Sequence, residues 1–106
     1  MTASTAAIQI KSEGTLEDVA RKLQEALSLP PFYFDSDQDP PHAITAMNEC
    51  LGYELWLRYS GHAFELTVEA SMDVRDRAEG SFVDVSEWLS KHIGIVTELH
   101  CAPKTK

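Results

Sequence analysis

YELWLRYSGHAFELTVEAS, residues Tyr53 to Ser71, decides the fold, because two runs of alternating apolar residues flank the dipeptide Ser60-Gly61. Alternation with period two around a short glycine-containing turn predicts a β-hairpin. A two-residue turn places Tyr59 opposite His62. The pairs that follow are Leu57 with Phe64, Leu55 with Leu66 and Tyr53 with Val68. This register collects the large aliphatic residues on one side, which we expect to be core.

The other side of the predicted hairpin is polar except for one aromatic residue. Its members are Glu54, Trp56 and Arg58 on the first strand and Ala63, Glu65, Thr67 and Glu69 on the second. Tryptophan is enriched among the residues that anchor protein interfaces, so Trp56 is a candidate anchor. The alternative is that its ring is covered by residues 30–40, by residues 72–80 or by a second copy of the chain.

The segment before the hairpin predicts a strand and two helices. Ala7 to Lys11 alternates and predicts a strand, and a cap at Thr15 opens a helix over about residues 16–28, which Pro30-Pro31 ends. An aromatic cluster, Phe32 to Phe34, is either an edge strand or a packed loop. Asp39 and Pro40-Pro41 then predict the start of a further helix, which carries Ile44, Met47 and Leu51 and ends at Gly52.

The segment after the hairpin predicts an exposed connection, a helix and a strand. Residues 72–80 are charged and lack apolar periodicity, so we expect an exposed loop that is a candidate interaction segment. A cap at Asp84 opens a helix that Gly94 ends, and Ile95 to Cys101 alternates as a strand. The residues predicted on the buried face of this helix are Val85, Trp88, Leu89, His92 and Ile93.

These elements predict a single α+β domain over residues 1–106. The expected architecture is an antiparallel sheet of about four strands with two to three helices, in ferredoxin-like order with a helical insertion after the first helix. In this fold the helices cover one face of the sheet, and the other face can remain in contact with water.

Composition narrows the class of function. Seventeen acidic and nine basic residues give a net charge of -8. This charge argues against nucleic acid or an anionic membrane as partner, and it favours either solubility or a basic protein partner. A secretory signal and a membrane span are both absent from the sequence pattern, so we expect a cytoplasmic protein. Cys50 and Cys101 are far apart and lie in apolar contexts, which favours buried reduced thiols.

A dense acidic run is the second candidate site. Asp35, Asp37 and Asp39 have calcium-loop spacing, but Pro40 and Ala46 occupy the positions of the required glycine and glutamate, so no metal or other cofactor is expected. With Glu49, and beside Tyr33, these acids can instead form a negative patch for a basic partner. The alternative is a solvated loop that only caps the next helix. The four histidines are scattered and no nucleophile motif is present, so we expect no enzyme.

The stretch from Thr15 to Leu51 resembles the front of the barstar family of ribonuclease inhibitors. The likeness lies in Ala26-Leu27-Ser28-Leu29-Pro30, the tyrosine after it, and the segment Thr45-Ala-Met-Asn-Glu-Cys-Leu51. In that family two aspartates of this helix enter the active site of the ribonuclease. Glu49 retains the second acid here, and Thr45 replaces the first. The small acidic chain is also similar to bacterial immunity proteins of contact-dependent growth-inhibition and other polymorphic toxin systems.

The leading hypothesis is therefore an immunity protein that binds a cognate toxin, expected to be a nuclease, through its basic active site. The predicted toxin-binding residues are Tyr33, Asp35, Asp37, Asp39, Glu49 and Trp56. The alternative is a ferredoxin-like regulatory or homodimerising module whose open sheet face pairs with a second copy. Either a monomer or a weak homodimer is compatible with the first hypothesis.

Overall fold

One mixed sheet and three helices make up the computed structural model, which describes residues 2–35, 42–45, 52–59 and 63–104. The strands are β1 Ala3–Lys11, β2 Phe32–Asp35, β3 His42–Thr45, β4 Tyr53–Tyr59, β5 Phe64–Ala70, β6 Phe82–Asp84 and β7 His100–Pro103. The helices are α1 Leu16–Leu27, α2 Met72–Ala78 and α3 Ser86–Thr97. No helix within these ranges is both long enough and apolar enough to cross a membrane.

The strand order confirms the predicted fold class. The path β2-β3-β4-β5-β1 is antiparallel throughout, and β7 pairs antiparallel with the second half of β1. The four strands β4, β5, β1 and β7, with α1 after β1 and α3 before β7, therefore have the ferredoxin-like arrangement. The short strand β6 pairs in parallel with the first residues of β1, and the other pairs among the described strands are antiparallel.

The central hairpin is present, but its predicted register is wrong by two residues. Tyr59 lies opposite Phe64 instead of His62, and Leu57 lies opposite Leu66. The predicted turn at Ser60-Gly61 lies outside the described residues. The observed register lets the rings of Tyr59 and Phe64 pack with centroids 5.1 Å apart. Because side chains alternate with period two, a shift of two residues leaves every side chain on its predicted face.

The core lies on the aliphatic side of this hairpin, as predicted. The helices α1 and α3 pack there, and their residues Val19, Leu23 and Ile93 contact the apolar strand residues. Those strand residues are Ile8 and Ile10 of β1, Leu55 and Leu57 of β4, and Phe64 and Leu66 of β5. The predicted first helix is confirmed. It begins with a reciprocal capping box in which the Asp18 backbone N–H donates to the Thr15 side chain and the Thr15 backbone N–H donates to the Asp18 carboxylate.

The helix predicted to open at Pro40-Pro41 is wrong over residues 42–45. These residues form β3, which is paired with β2 on one side and with β4 on the other. Two flanking strands satisfy the backbone of β3, and its β-branched residues Ile44 and Thr45 suit a strand. Residues 46–51 of the predicted helix lie outside the described part of the chain. For Phe32 to Phe34 the sequence allowed an edge strand or a packed loop, and the structure shows the edge strand.

The predicted exposed loop at residues 72–80 is largely a helix. The Ser71 side chain accepts a hydrogen bond from the Val74 backbone N–H and caps α2, whose Val74 and Ala78 pack with Ala3, Ala70 and Tyr53. Two apolar positions four residues apart are enough to attach one short helix to the end of the sheet. In the sequence, Ser71 was the residue that could have indicated the start of this helix.

The predicted end of the third helix is wrong, and its predicted buried face is confirmed only in part. Helix α3 continues through Gly94 to Thr97, so the last strand begins at His100 instead of Ile95. Ile93 is buried and Leu89 packs against the core, as predicted. Trp88, however, is 65% exposed, and Ser86 and Ser90 are buried instead. The small serines allow close contact with the sheet, where the Ala7 backbone N–H donates to Ser86 Oγ at 2.9 Å.

Candidate protein-binding face of the sheet

The two faces of the sheet differ in whether helices pack on them. Helices α1 and α3 pack on one face, and the other presents the polar residues of the central hairpin to grooves that open to solvent. We call this second surface the open face. It is defined by Glu54, Trp56 and Arg58 of β4 and Glu65, Thr67 and Glu69 of β5.

The strand register brings two of the predicted binding residues onto this face. Tyr33 lies opposite Ile44, and Ile44 lies opposite Trp56, so Tyr33 and Trp56 occupy one row across three strands. Residues in one row of a sheet share a face, and two strand spacings separate them by roughly 10 Å. Tyr33 is 56% exposed, and Trp56 is half-buried and lines a groove of about 360 Å³. The two aromatic residues therefore belong to one surface.

The predicted acids are only partly placed. Asp35 follows Tyr33 by two positions in β2, and its backbone lies opposite His42. The side chain of Asp35 and the whole of Asp37, Asp39 and Glu49 lie outside the described part of the chain. The acidic patch therefore stays a prediction. Within the described part of β2, Tyr33 and Phe34 are exposed.

A buried carboxylate anchors the open face at one end. Glu65 is 8% exposed, and it accepts hydrogen bonds from Lys104 and from Arg58, the latter at 3.3 Å. The Lys104 hydrogen bond, helped by the positive charge of Arg58, lowers the pKa of Glu65 although burial opposes this shift. Glu65 therefore remains ionised and joins three separate parts of the chain: β4, β5 and the segment after β7.

A pair of like charges occupies the other end of the open face. Glu54 lies directly opposite Glu69 on the neighbouring strand. Arg75 of α2 approaches Glu69 at 3.5 Å, and no ion pair among the described residues includes Glu54. A groove of about 690 Å³ runs between this pair and α2, with Met72, Arg75 and Arg77 in its wall.

Sequence reasoning placed Glu54 and Glu69 on the polar side of the hairpin but gave them no role. The signal was available, because alternation alone puts both residues on the face that carries Trp56. Their direct opposition, however, depends on the register, which the two-residue turn predicted wrongly.

A second exposed surface lies on α3. Trp88 and Ile95, which is 79% exposed, share the outer side of the helix with His92, whose ring stacks on Trp88 at 5.6 Å. The prediction had placed Trp88 and His92 in the core. This surface lies on the helical side of the molecule, opposite the open face.

Two observations concern metal binding and thiol chemistry. Within the ranges that the structure describes, no group of three or more His, Cys, Asp or Glu side chains is placed to hold a metal ion. Cys101 is a free, half-buried thiol, and burial raises its pKa to about 11, so it is a poor nucleophile at neutral pH. Cys50 lies outside the described residues.

Comparison with known proteins adds no functional assignment. No family model, no curated protein and no solved structure matches this chain.

Proposed function

We propose that this chain is a non-enzymatic immunity protein of the bacterial cytoplasm, which binds a cognate toxin and blocks its basic active site. The toxin we expect is a nuclease. The observation that carries the proposal is the shared row of Tyr33 and Trp56 on the open face, in a chain whose net charge is -8. Accessible aromatic rings and negative charge both favour binding to a basic protein.

Charge and aromatic contacts have separate roles in this mechanism. Carboxylates of the inhibitor replace substrate phosphates in the basic cleft of the nuclease, and long-range attraction raises the association rate. Burial of Tyr33 and Trp56 against the toxin slows dissociation. The acids that we assign to this role are Asp35, Asp37, Asp39 and Glu49. The position of Asp35 in β2, two residues after Tyr33, supports the assignment of Asp35.

A neutralisation assay tests the proposal. The purified protein is mixed with nuclease toxin domains, and both nuclease activity and affinity at several salt concentrations are measured. We expect one toxin to be inhibited, with an affinity that decreases as salt is added. Replacement of Asp35, Asp37, Asp39 and Glu49 by Ala should abolish inhibition. Retained binding by this variant would refute the assigned acids.

The aromatic part has its own matched control. Trp56→Ala removes a ring from the open face, and Trp88→Ala removes an exposed ring from the opposite side of the molecule. We expect the first change to weaken toxin binding by at least about 2 kcal/mol and the second to leave it unchanged. Equal effects would contradict binding through the open face.

The alternative function is a ferredoxin-like homodimerising module, and the same row of aromatic residues favours it. In this case the open face pairs with a second copy. Sedimentation in dilute solution separates the two functions, because a tight dimer supports the module and a monomer supports the inhibitor. In a Trp88→Phe background, the fluorescence of Trp56 should be shielded from a soluble quencher only in the dimer.

A further inference from the structure

We infer that the open face receives an arginine side chain of the partner between Glu54 and Glu69, with its guanidinium group beside the ring of Trp56. This inference rests on the proposed function, since it names the group of the basic toxin that the face recognises. It assigns a binding role to two acids outside the predicted acidic run.

Two opposed carboxylates form the centre of the proposed site. Glu54 and Glu69 are directly opposed on antiparallel strands, so their Cβ atoms are about 5 Å apart. Like charges in this position are unfavourable, and a cation between them removes the repulsion. A guanidinium group is planar and has five N–H donors, so it can donate to two carboxylates at once.

The existing cation is a weak competitor. Arg75 is 3.5 Å from Glu69, and both side chains of this pair are about half exposed, at 51% and 49%. Solvent-exposed ion pairs of this kind contribute roughly 0 to 1 kcal/mol, so Arg75 can be displaced. The groove of about 690 Å³ beside it leaves room for the incoming side chain.

The tryptophan makes the site selective for arginine. Trp56 is two residues from Glu54 on the same strand and opposite Thr67, which is two residues from Glu69. Two positions along a strand span roughly 7 Å, so a group held by the carboxylates lies within reach of the indole. Guanidinium groups stack on aromatic rings more readily than ammonium groups do.

The test uses three peptides, acetyl-Gly-Gly-Arg-Gly-Gly-amide and its lysine and citrulline versions, and follows backbone and indole N–H signals by NMR. We expect the arginine peptide to shift the signals of β4, β5 and the Trp56 indole. The lysine peptide should bind several-fold more weakly and the citrulline peptide should not bind. Equal binding of the lysine and arginine peptides would overturn the selectivity for guanidinium.

Charge-matched variants separate a defined site from general attraction to an acidic protein. E54Q/E69Q should weaken the arginine peptide about tenfold, whereas E17Q/E25Q, which removes two exposed acids of α1, should change affinity less than about twofold. R75A should strengthen binding more than R21A, because Arg21 forms a similar exposed pair with Asp18 away from the open face. Equal effects within either pair, or shifts spread over the whole surface, would overturn the site.

Failure of this inference is distinguishable from failure of the proposed function. If the wild-type protein and E54Q/E69Q neutralise a toxin equally well, the immunity function is supported and the arginine site is refuted. If the protein binds the arginine peptide as described but inhibits no toxin, the arginine site is supported and the immunity function is refuted.

Discussion

Glu54 lies directly opposite Glu69 in the central hairpin, so two negative charges face each other on adjacent strands. Among the described residues, the exposed Arg75 forms an ion pair with Glu69, and no ion pair includes Glu54. This pair of like charges is unfavourable for the stability of the isolated protein. Such pairs are expected where binding to a partner requires them.

Reversing one of these charges should stabilise the isolated protein. Glu54→Lys converts the repulsive cross-strand pair into an attractive one, and we expect the free energy of unfolding to rise by about 0.5 to 1 kcal/mol. Urea unfolding at low salt measures the change. Glu13→Lys makes the same change in net charge at an exposed loop position and is the control. If the free energy of unfolding rises equally in both variants, the gain comes from the net charge of the molecule and not from the Glu54–Glu69 pair.

The ion pairs of Glu65 should contribute to stability at neutral pH and lose this contribution in acid. Because the pKa of Glu65 in the folded protein is below the ordinary 4.5, its stabilisation is full above pH 4.5 and disappears as the pH falls through the lowered pKa. We expect Glu65→Gln to cost about 1 to 2 kcal/mol at pH 7. The difference from wild type should shrink by pH 3 in urea unfolding. A constant difference at both pH values would contradict this ion pairing.

The orientation of α3 can be checked by two truncations. Ile93 is fully buried and Trp88 is 65% exposed. Ile93→Ala should therefore cost about 2 to 5 kcal/mol, and Trp88→Ala less than about 1 kcal/mol. Thermal or urea unfolding gives both values. A cost above about 2 kcal/mol for Trp88→Ala would instead support the buried position that the sequence pattern predicted for Trp88.

Cys101 should react slowly with thiol reagents. Its pKa of about 11, against an ordinary 9.0, lowers the thiolate fraction near pH 8 about a hundredfold. In a Cys50→Ser background, alkylation by iodoacetamide should rise about tenfold per pH unit up to pH 10. Denatured protein, in which burial is lost, is the control and should react at the rate of a free cysteine. Rapid reaction of the folded protein at pH 7 would contradict the burial of this thiol.

Local patterns in the sequence were sufficient for much of the fold. Alternation identified β1, β4 and β5, and the capping box at Thr15 identified the start of α1. These signals are local, since period-two alternation and a capped helix each depend on residues within a few positions. The fold class followed from the order of the elements.

Three errors arose where distant contacts outweighed local preference. Residues 42–45 form a strand because β2 and β4 offer partners on both sides. Met72–Ala78 forms a helix because Val74 and Ala78 pack in an apolar cluster at the end of the sheet, in addition to the local cap at Ser71. In α3, serines instead of Trp88 face the sheet, since only small residues permit the close contact at Ala7.

In the candidate site, too, some features follow from local sequence patterns and others from contacts between distant segments. The sequence by itself determined that Trp56, Glu54 and Glu69 share one face of a hairpin and that the chain is strongly acidic, because alternation and charge need no knowledge of distant contacts. Only the tertiary structure decided that Tyr33 joins Trp56 in one row, that Glu54 opposes Glu69, and that Lys104 reaches Glu65. These relations depend on strand order and register, which are set by packing between segments far apart in the chain.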